Sequence, residues 1–288
     1  GTQRTWRLLA SATSAIAQVP ALRWEVRAVT AKLDSSTTLR TRHGGFMSNA
    51  ELFDNGRFVI SPAEAASMDP QQRLLMERGY AALHEAGLDR SALSGSLTGI
   101  FLGIASQEYA QILAVTPAGA SVYAATGSSL SIASGRLSYT LGLNGPCVSH
   151  DTACSAALTA THTGLRAIQN AECVTGLVSG VTLMLSPTVG TSFAIAGMTS
   201  ASGRSNTFDK RANGYCRGEG CGSIAIQRDV GESTVLSVAG SAVRQDGRSA
   251  SLTAPSGPAQ KGLLVAALTD GAVGAGDLAL VETHGTGT

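Results

Sequence analysis

Asp151-Thr152-Ala153-Cys154-Ser155-Ala156-Ala157-Leu158 sets a cysteine at the seam between two kinds of sequence. Upstream, residues 147–153 follow the turn signal Asn144-Gly145-Pro146 and read as a short strand; downstream, Ser155 to Ala171 carries Leu158, Thr161, Leu165 and Ile168 at helical spacing. The thiol is therefore expected at a helix N-terminus. Free backbone N–H groups and the helix dipole favour a thiolate there, and the same N–H groups can hold an oxyanion.

A thiol of ordinary pKa, about 8.5, is only a few per cent ionised at neutral pH. A helix end contributes about 0.3–1 kcal/mol, less than about one pKa unit, so a second group is called for. His284, in the glycine-rich run Val281-Glu282-Thr283-His284-Gly285-Thr286-Gly287-Thr288, is the candidate partner, either beside the thiolate or as a donor to a reacting carbonyl. Taken singly, Cys154 reads equally as a small buried hydrophobe and His284 as a solvated loop residue.

Outward from this seam, helix and strand signals alternate. Asp69 can cap and Pro70 open a helix that Gly87 closes. Residues 98–104, 173–185, 222–227, 234–240 and 278–282 read as strands, separated by helix-compatible stretches near 106–114, 155–171, 188–197 and 258–269. This is an α/β pattern with a largely buried sheet.

With 288 residues, 43% hydrophobic and 14% charged, the chain can bury a large core in one large or two smaller domains. A net charge of +1, three lysines and scattered arginines give no basic stripe for nucleic acid. No apolar run reaches membrane-spanning length. Five cysteines (147, 154, 173, 216 and 221), odd in number and without CxxC pairs, point to reduced thiols in a reducing intracellular compartment, cytoplasm or plastid, and to no metal. Gly218-Glu219-Gly220 and Gly285-Thr286-Gly287 lack the third glycine of a dinucleotide fingerprint, and no P-loop occurs. The 130-residue interval from Cys154 to His284 also matches papain-like proteases, but Cys154 is mid-chain and lacks their flanking residues. His150 falls four before Cys154, on the same side if one strand carries both. Cys147, Cys173, Cys216 and Cys221 are expected in the core.

The two motifs, with Ile60-Ser61-Pro62, Met68-Asp69-Pro70-Gln71-Gln72-Arg73, Gly135-Arg136-Leu137-Ser138-Tyr139, Leu141 to Pro146, Thr207-Phe208-Asp209, Tyr215 to Cys221, Asp246-Gly247-Arg248-Ser249 and Leu252 to Pro258 in the same order, resemble the β-ketoacyl synthase (ketosynthase) domain of type I polyketide synthases. The resemblance runs from about Ile16 to Thr288. It implies a thiolase-like, layered αβαβα fold of two similar halves, with residues 1–15 unassigned, 16–230 the N-terminal half bearing the nucleophile, and 231–288 the start of a truncated C-terminal half.

It further implies an acyltransferase that performs a decarboxylative Claisen condensation of acyl and malonyl-type thioesters. Cys154 takes the acyl chain and His284 stabilises the enolate oxygen. Thr253, Thr286 and Thr288 match positions that bind the phosphopantetheine arm. The implied partners are an acyl carrier protein and a second copy of the chain, with no cofactor. A fatty acid synthase ketosynthase and a non-catalytic docking or assembly domain are the alternatives. The family's second histidine, its lysine and a glycine-rich oxyanion loop fall beyond Thr288, and an opening strand is expected before Ile16, so the chain as given is not expected to condense by itself. Asn213, Arg244, Ala156 and His150 depart from the residues common at their positions.

Overall fold

The structure, a computed structural model, describes residues 2–228 and 236–287. In chain order the principal elements are α1 (Thr2–Ala10), β1 (Ile16–Gln18), β2 (His43–Gly45), α2 (Pro70–Glu85), β3 (Thr98–Gly103), α3 (Glu108–Ala114), α4 (Leu130–Leu141), β4 (Cys147–His150), α5 (Ala156–Gln169), β5 (Thr175–Thr182), α6 (Thr188–Ile195), β6 (Gly220–Gln227) and α7 (Gly257–Asp270). Four strands make the main sheet in the order β4-β3-β5-β6, with β3 parallel to both neighbours and β6 antiparallel to β5. A second, two-stranded sheet joins β1 to β2.

Strand alternation sorts the core into two layers. Ile100 and Leu177 face Met76, Leu83, Leu137 and Leu141 on α2 and α4. Their neighbours Phe101 and Val178 turn the other way, onto Ala160, Ala167 and Ile168 of α5. Helices on both faces explain why every residue of β3 is buried.

The packing of α5 corrects the expected stripe. Leu158 is 74% exposed, and the buried face is Ala156, Ala160, Gly164, Ala167 and Ile168. A Cβ on Gly103 would lie 2.4 Å from the Ala157 nitrogen, and one on Gly180 2.9 Å from the Ala157 Cβ. With the helix this close to the sheet at Ala157, only small side chains fit between them over its first turns, so size overrides hydrophobicity in choosing the inward face there.

Residues 236–240 and 278–282 form no strand, and the rest of the first predicted segment, 234–235, lies outside the described residues. Among the described residues no neighbouring strand pairs with either segment, and an extended segment without a ladder leaves its N–H and C=O groups to solvent. The segment around Ser241 is instead tied to α5. Arg166 reaches Asp270 at 2.7 Å and the Ser241 carbonyl at 3.1 Å, and His162 Nδ1 lies 2.9 Å from Ser241 Oγ. Before Ile16, where an opening strand is expected, the structure has the helix α1 and no strand.

Val59 ends a one-turn helix over Gly56–Phe58 with φ 56° and ψ 38°, and it is 89% exposed. A β-branched residue in the left-handed region costs about 1–2 kcal/mol. Val59→Gly removes that strain at some cost in chain entropy. It is expected to raise unfolding free energy by about 0.5–1 kcal/mol, read from the shift in urea midpoint.

Candidate functional site

Strand β4 stops at His150, and the chain turns through Asp151 and Thr152 into a single 3₁₀ turn, Ala153–Ser155, that leads into α5. Ala153 takes φ 53°, a left-handed conformation rare for a residue with a side chain. Its N–H donates to Asp151 Oδ1 at 3.0 Å, which holds the sharp turn. Cys154 sits at the apex, exposed. Strand parity therefore ends before Cys154, so His150 and Cys154 are not two positions on one strand face. His150 Nε2 is buried without a protein partner, and burial pulls its imidazole pKa down.

Ser155 occupies the cap position of α5 but makes no capping bond. Its hydroxyl turns back to the Thr152 carbonyl and Thr152 Oγ1, both at 2.9 Å. No side-chain cap occupies the first turn, although the Ser155 and Ala156 N–H groups already donate to the Thr152 and Ala153 carbonyls, so it is the positive end of the helix rather than those two groups that favours a thiolate at Cys154.

Exposure sorts the five free thiols. Cys173 is buried, and Cys216 and Cys221 are half-buried. Burial pushes the pKa of all three up, that of Cys221 to about 12. The expected core place holds for Cys173 but fails for Cys147, which is exposed because β4 is an edge strand. Of the two exposed thiols, Cys147 lies within the ladder opposite Ile100, whereas Cys154 stands at a helix N-terminus.

Tyr215 lies within electrostatic reach of Cys154, a proximity the sequence did not signal beyond the residue's membership of a motif. Its backbone pairs with Met198 and Ser200, at 3.1 Å and 2.9 Å. Burial pushes its phenol pKa up, Arg217 opposes the shift, and the Cys154 thiol is near enough to add to it. The loop of His284 docks on the same stretch of chain: Gly214 N–H donates to the Gly287 carbonyl at 3.2 Å, and Thr207 Oγ1 donates to the Gly285 carbonyl at 2.6 Å. Both glycines have positive φ, and a Cβ on Gly287 would stand 1.9 Å from the Ser205 carbonyl oxygen. The Gly214-Tyr215 segment thus bonds the loop that carries His284 and places a phenol within electrostatic reach of Cys154. His284 itself is exposed and Thr286 half-buried. Thr253 is exposed in the turn before α7, with no hydrogen bond to this assembly among the described residues, and Thr288 lies outside them.

The other motifs build the frame. Asp69 caps α2 through the Gln71 N–H at 2.8 Å, and the Gln71 side chain links Asp69, the Ser106 carbonyl and the Leu183 N–H. Gln72 accepts from Arg136 Nε at 2.9 Å, and Arg136 also pairs with Glu64, so the motif at Met68–Arg73 is bonded to the one at Gly135–Tyr139. Asp246 Oδ2 accepts from the Ser256 N–H at 3.1 Å and joins two further motifs in the same way.

Asp69 is 2% exposed, and desolvation raises its pKa to about 6 despite the two bonds from Gln71. A carboxyl raised above its unfolded value favours folding most when protonated, so its contribution is full below about pH 4 and is lost as pH rises through about 6. Asp69→Asn is expected to gain on the wild type by up to about 3 kcal/mol between pH 4 and pH 7.5. Paired urea titrations at the two pH values measure this directly.

Comparison with known proteins bears on this arrangement. Residues 1–230 match the family model described as Beta-ketoacyl synthase, N-terminal domain, and residues 235–288 match Beta-ketoacyl synthase, C-terminal domain. Among curated proteins, polyketide synthase GfsB of Streptomyces halstedii is 42% identical over 293 residues, covering 99% of the chain and 5% of GfsB. Erythronolide synthase EryA3 of Saccharopolyspora erythraea is 43% identical over 289 residues, covering 98% of the chain and 9% of that protein. Among solved structures, the ketosynthase from module 6 of the bacillaene synthase of Bacillus subtilis 168 superposes with a TM-score of 0.88 at 34% identity, over 99% of the chain and 48% of that structure. The oxazolomycin ketosynthase domain OzmH KS7 of Streptomyces albus JA3453 gives 0.90 at 31% identity, over the whole chain and 51% of that structure. The chain therefore spans about half of the solved domains it matches and a small part of the curated relatives. The fold of the solved neighbours is the thiolase-like fold expected from the motifs.

Proposed function

Because the chain belongs to the β-ketoacyl synthase family, we propose that it carries the acyl-accepting nucleophile of a condensing acyltransferase in polyketide biosynthesis. The observation that carries this reading is the turn that presents an exposed Cys154 at an uncapped helix N-terminus. The relatives' printed names, polyketide synthase and erythronolide synthase, favour polyketides over fatty acids as the product class.

In the proposed reaction the Cys154 thiolate attacks the carbonyl of an acyl thioester held on the phosphopantetheine of an acyl carrier protein. The positive N-terminal end of α5 favours the developing oxyanion, its collapse breaks the C–S bond to pantetheine, the pantetheine leaves as a thiolate that takes up the proton Cys154 released on ionising, and the acyl group remains on Sγ. A malonyl-type thioester then loses carbon dioxide, and the electron pair of the broken C–C bond becomes an enolate. His284 is the proposed donor to that enolate oxygen. The enolate carbon attacks the acyl-Cys154 carbonyl, and the thiolate departs. Thr253, Thr286 and Thr288 are proposed contacts of the pantetheine arm, and the reaction draws on no cofactor. The exposed edge of β4 supports pairing with a second copy, since an unpaired strand edge is a template for another strand.

The test is acyl transfer from a labelled acyl-pantetheine to the full native protein, followed by mass mapping of the peptides. One acyl increment on the Cys154 peptide, released by hydroxylamine, is the expected result. A label on Cys147, the other exposed thiol, or no label in folded protein would overturn the reading.

A further inference from the structure

Ser241 lies between two helices, and each of its polar groups is engaged by them. Its N–H donates to Asp270 Oδ2 at 2.9 Å, its carbonyl accepts from Arg166 Nη2 at 3.1 Å, and its hydroxyl lies 2.9 Å from His162 Nδ1. Arg166 Nη2 also reaches Asp270 Oδ1 at 2.7 Å, which closes the set. His162 and Arg166 are four apart on α5 and so share one face, and Asp270 is the last residue of α7. The preceding Gly240 lies against the end of that same helix, where a Cβ would stand 2.3 Å from the Gly271 nitrogen and 2.7 Å from the Ala267 carbonyl oxygen. The chain at 240–241 is thus held between the outer face of α5 and the C-terminal end of α7.

This junction is polar and directional. Both charged side chains are half-buried. The Ser241 N–H first, and Arg166 after it, hold the Asp270 carboxyl below the usual carboxylate range, so the acceptor is charged at neutral pH. Among the described residues α7 buries no side chain, so within them it is these contacts, and not a packed apolar face, that orient α7 on α5. The junction also stands between the two residues of the proposed chemistry. Arg166 lies twelve residues after Cys154, on the helix that begins beside it, and Asp270 lies fourteen residues before His284. Beyond His284 the chain is held again, where Thr207 and Gly214 bond the carbonyls of Gly285 and Gly287.

We propose that Arg166 and Asp270 are positioning residues, which through Ser241 fix the chain carrying His284 relative to the helix that begins beside Cys154. The assignment rests on the reading of His284 as donor to the enolate oxygen. Neither residue touches the reacting atoms. Placement decides how well a donor holds a developing oxyanion, and a misplacement of about 1 Å can cost about a hundredfold in rate. Acyl loading draws on Cys154 and the end of α5 but not on His284, so it does not feel the junction.

Arg166→Met and Asp270→Asn, singly and together in the full native protein, test this, because each keeps the side-chain length and removes the ion pair. Carbon dioxide release from malonyl-pantetheine by acyl-loaded protein is expected to fall about tenfold in either variant, while acyl loading of Cys154 stays within about twofold of the wild type. The double variant should be no slower than the worse single one, since both cut the same connection. Equal losses in the two rates, tracking the folded fraction read from urea unfolding, would reduce the pair to a stability role and overturn the assignment, as would an unchanged release rate. Amide exchange judges the pair apart from activity. In Asp270→Asn it is expected to rise over residues 281–287 as well as 239–242, and no rise over 281–287 overturns the assignment. If the wild type itself does not load Cys154, it is the proposed function that fails, and the exchange over 281–287 still decides the positioning role by the same two outcomes.

Discussion

Replacing Cys154 with alanine is expected to abolish acyl loading and to lower condensation by about a thousandfold or more, since a covalent route cannot proceed without its nucleophile. Stability should change by no more than about 0.5 kcal/mol. The contrast follows from position: Cys154 is exposed at the turn before α5, and among the described residues its thiol takes part in no hydrogen bond and no core cluster. Loss of chemistry with an unmoved urea midpoint is therefore the signature of the role. Cys173→Ala should do the reverse. That thiol is 2% exposed and packs with Phe101, Ile168 and Val178, so its loss costs stability while leaving Cys154 able to load. Rates of acyl incorporation by mass spectrometry, paired with urea unfolding of each variant, separate the two patterns. A Cys154→Ala protein that still took up acyl group at the wild-type rate would remove Cys154 from the reaction.

The strand-to-helix seam at Cys154 was legible because two periodicities meet there, and each is local. The helices α2, α3, α5, α6 and α7 lie close to their expected places for the same reason. What the sequence could not convey is the distance between elements. Leu158 looked like a core residue by spacing, yet the closeness of α5 to Gly103 and Gly180 at Ala157 reserves the inner face of its first turns for alanine and glycine, and a large side chain, Ile168, enters only near its end. Tyr215 stands 61 positions after Cys154 in the chain, and only the fold brings it within electrostatic reach of the thiol. Residues 236–240 and 278–282 carry strand composition, but composition does not supply a neighbour to pair with. The motifs at Met68–Arg73 and Gly135–Tyr139 were readable as signatures of a family. That Gln72 and Arg136 are bonded partners, and that their work is framing rather than chemistry, is visible only in three dimensions.

Glu219→Ala is expected to cost about 3–5 kcal/mol, out of the roughly 5–15 kcal/mol that holds a domain together. The Glu219 side chain is fully enclosed, with Oε2 at 2.9 Å from Arg23 Nη2 and 2.7 Å from the Met47 nitrogen. Oε1 accepts from the Met184 nitrogen at 2.9 Å. One carboxylate thus answers three donors from three separate segments, and truncation leaves the Met47 and Met184 N–H groups without that acceptor and the Arg23 guanidinium with only the Met47 carbonyl at 3.4 Å. Glu219→Gln keeps one acceptor oxygen but turns an NH₂ toward a donor, so it should lose less, about 1–2 kcal/mol. The graded pair distinguishes a charge-satisfying role from simple packing, because glutamine fills the same volume. The damage should also be localised. Arg23 and Met47 flank the β1–β2 sheet, and Gly45 is itself held by the Arg217 carbonyl and the Glu219 N–H at 2.9 Å and 2.8 Å. In Glu219→Gln, amide exchange should therefore rise first over residues 16–18 and 43–47, while β3 and β5 keep their protection. Acyl loading of Cys154 should fall only in proportion to the folded fraction, because Glu219 touches the frame behind Tyr215 and not the thiol. Glutamine matching glutamate in stability would show that the charge at Glu219 contributes nothing.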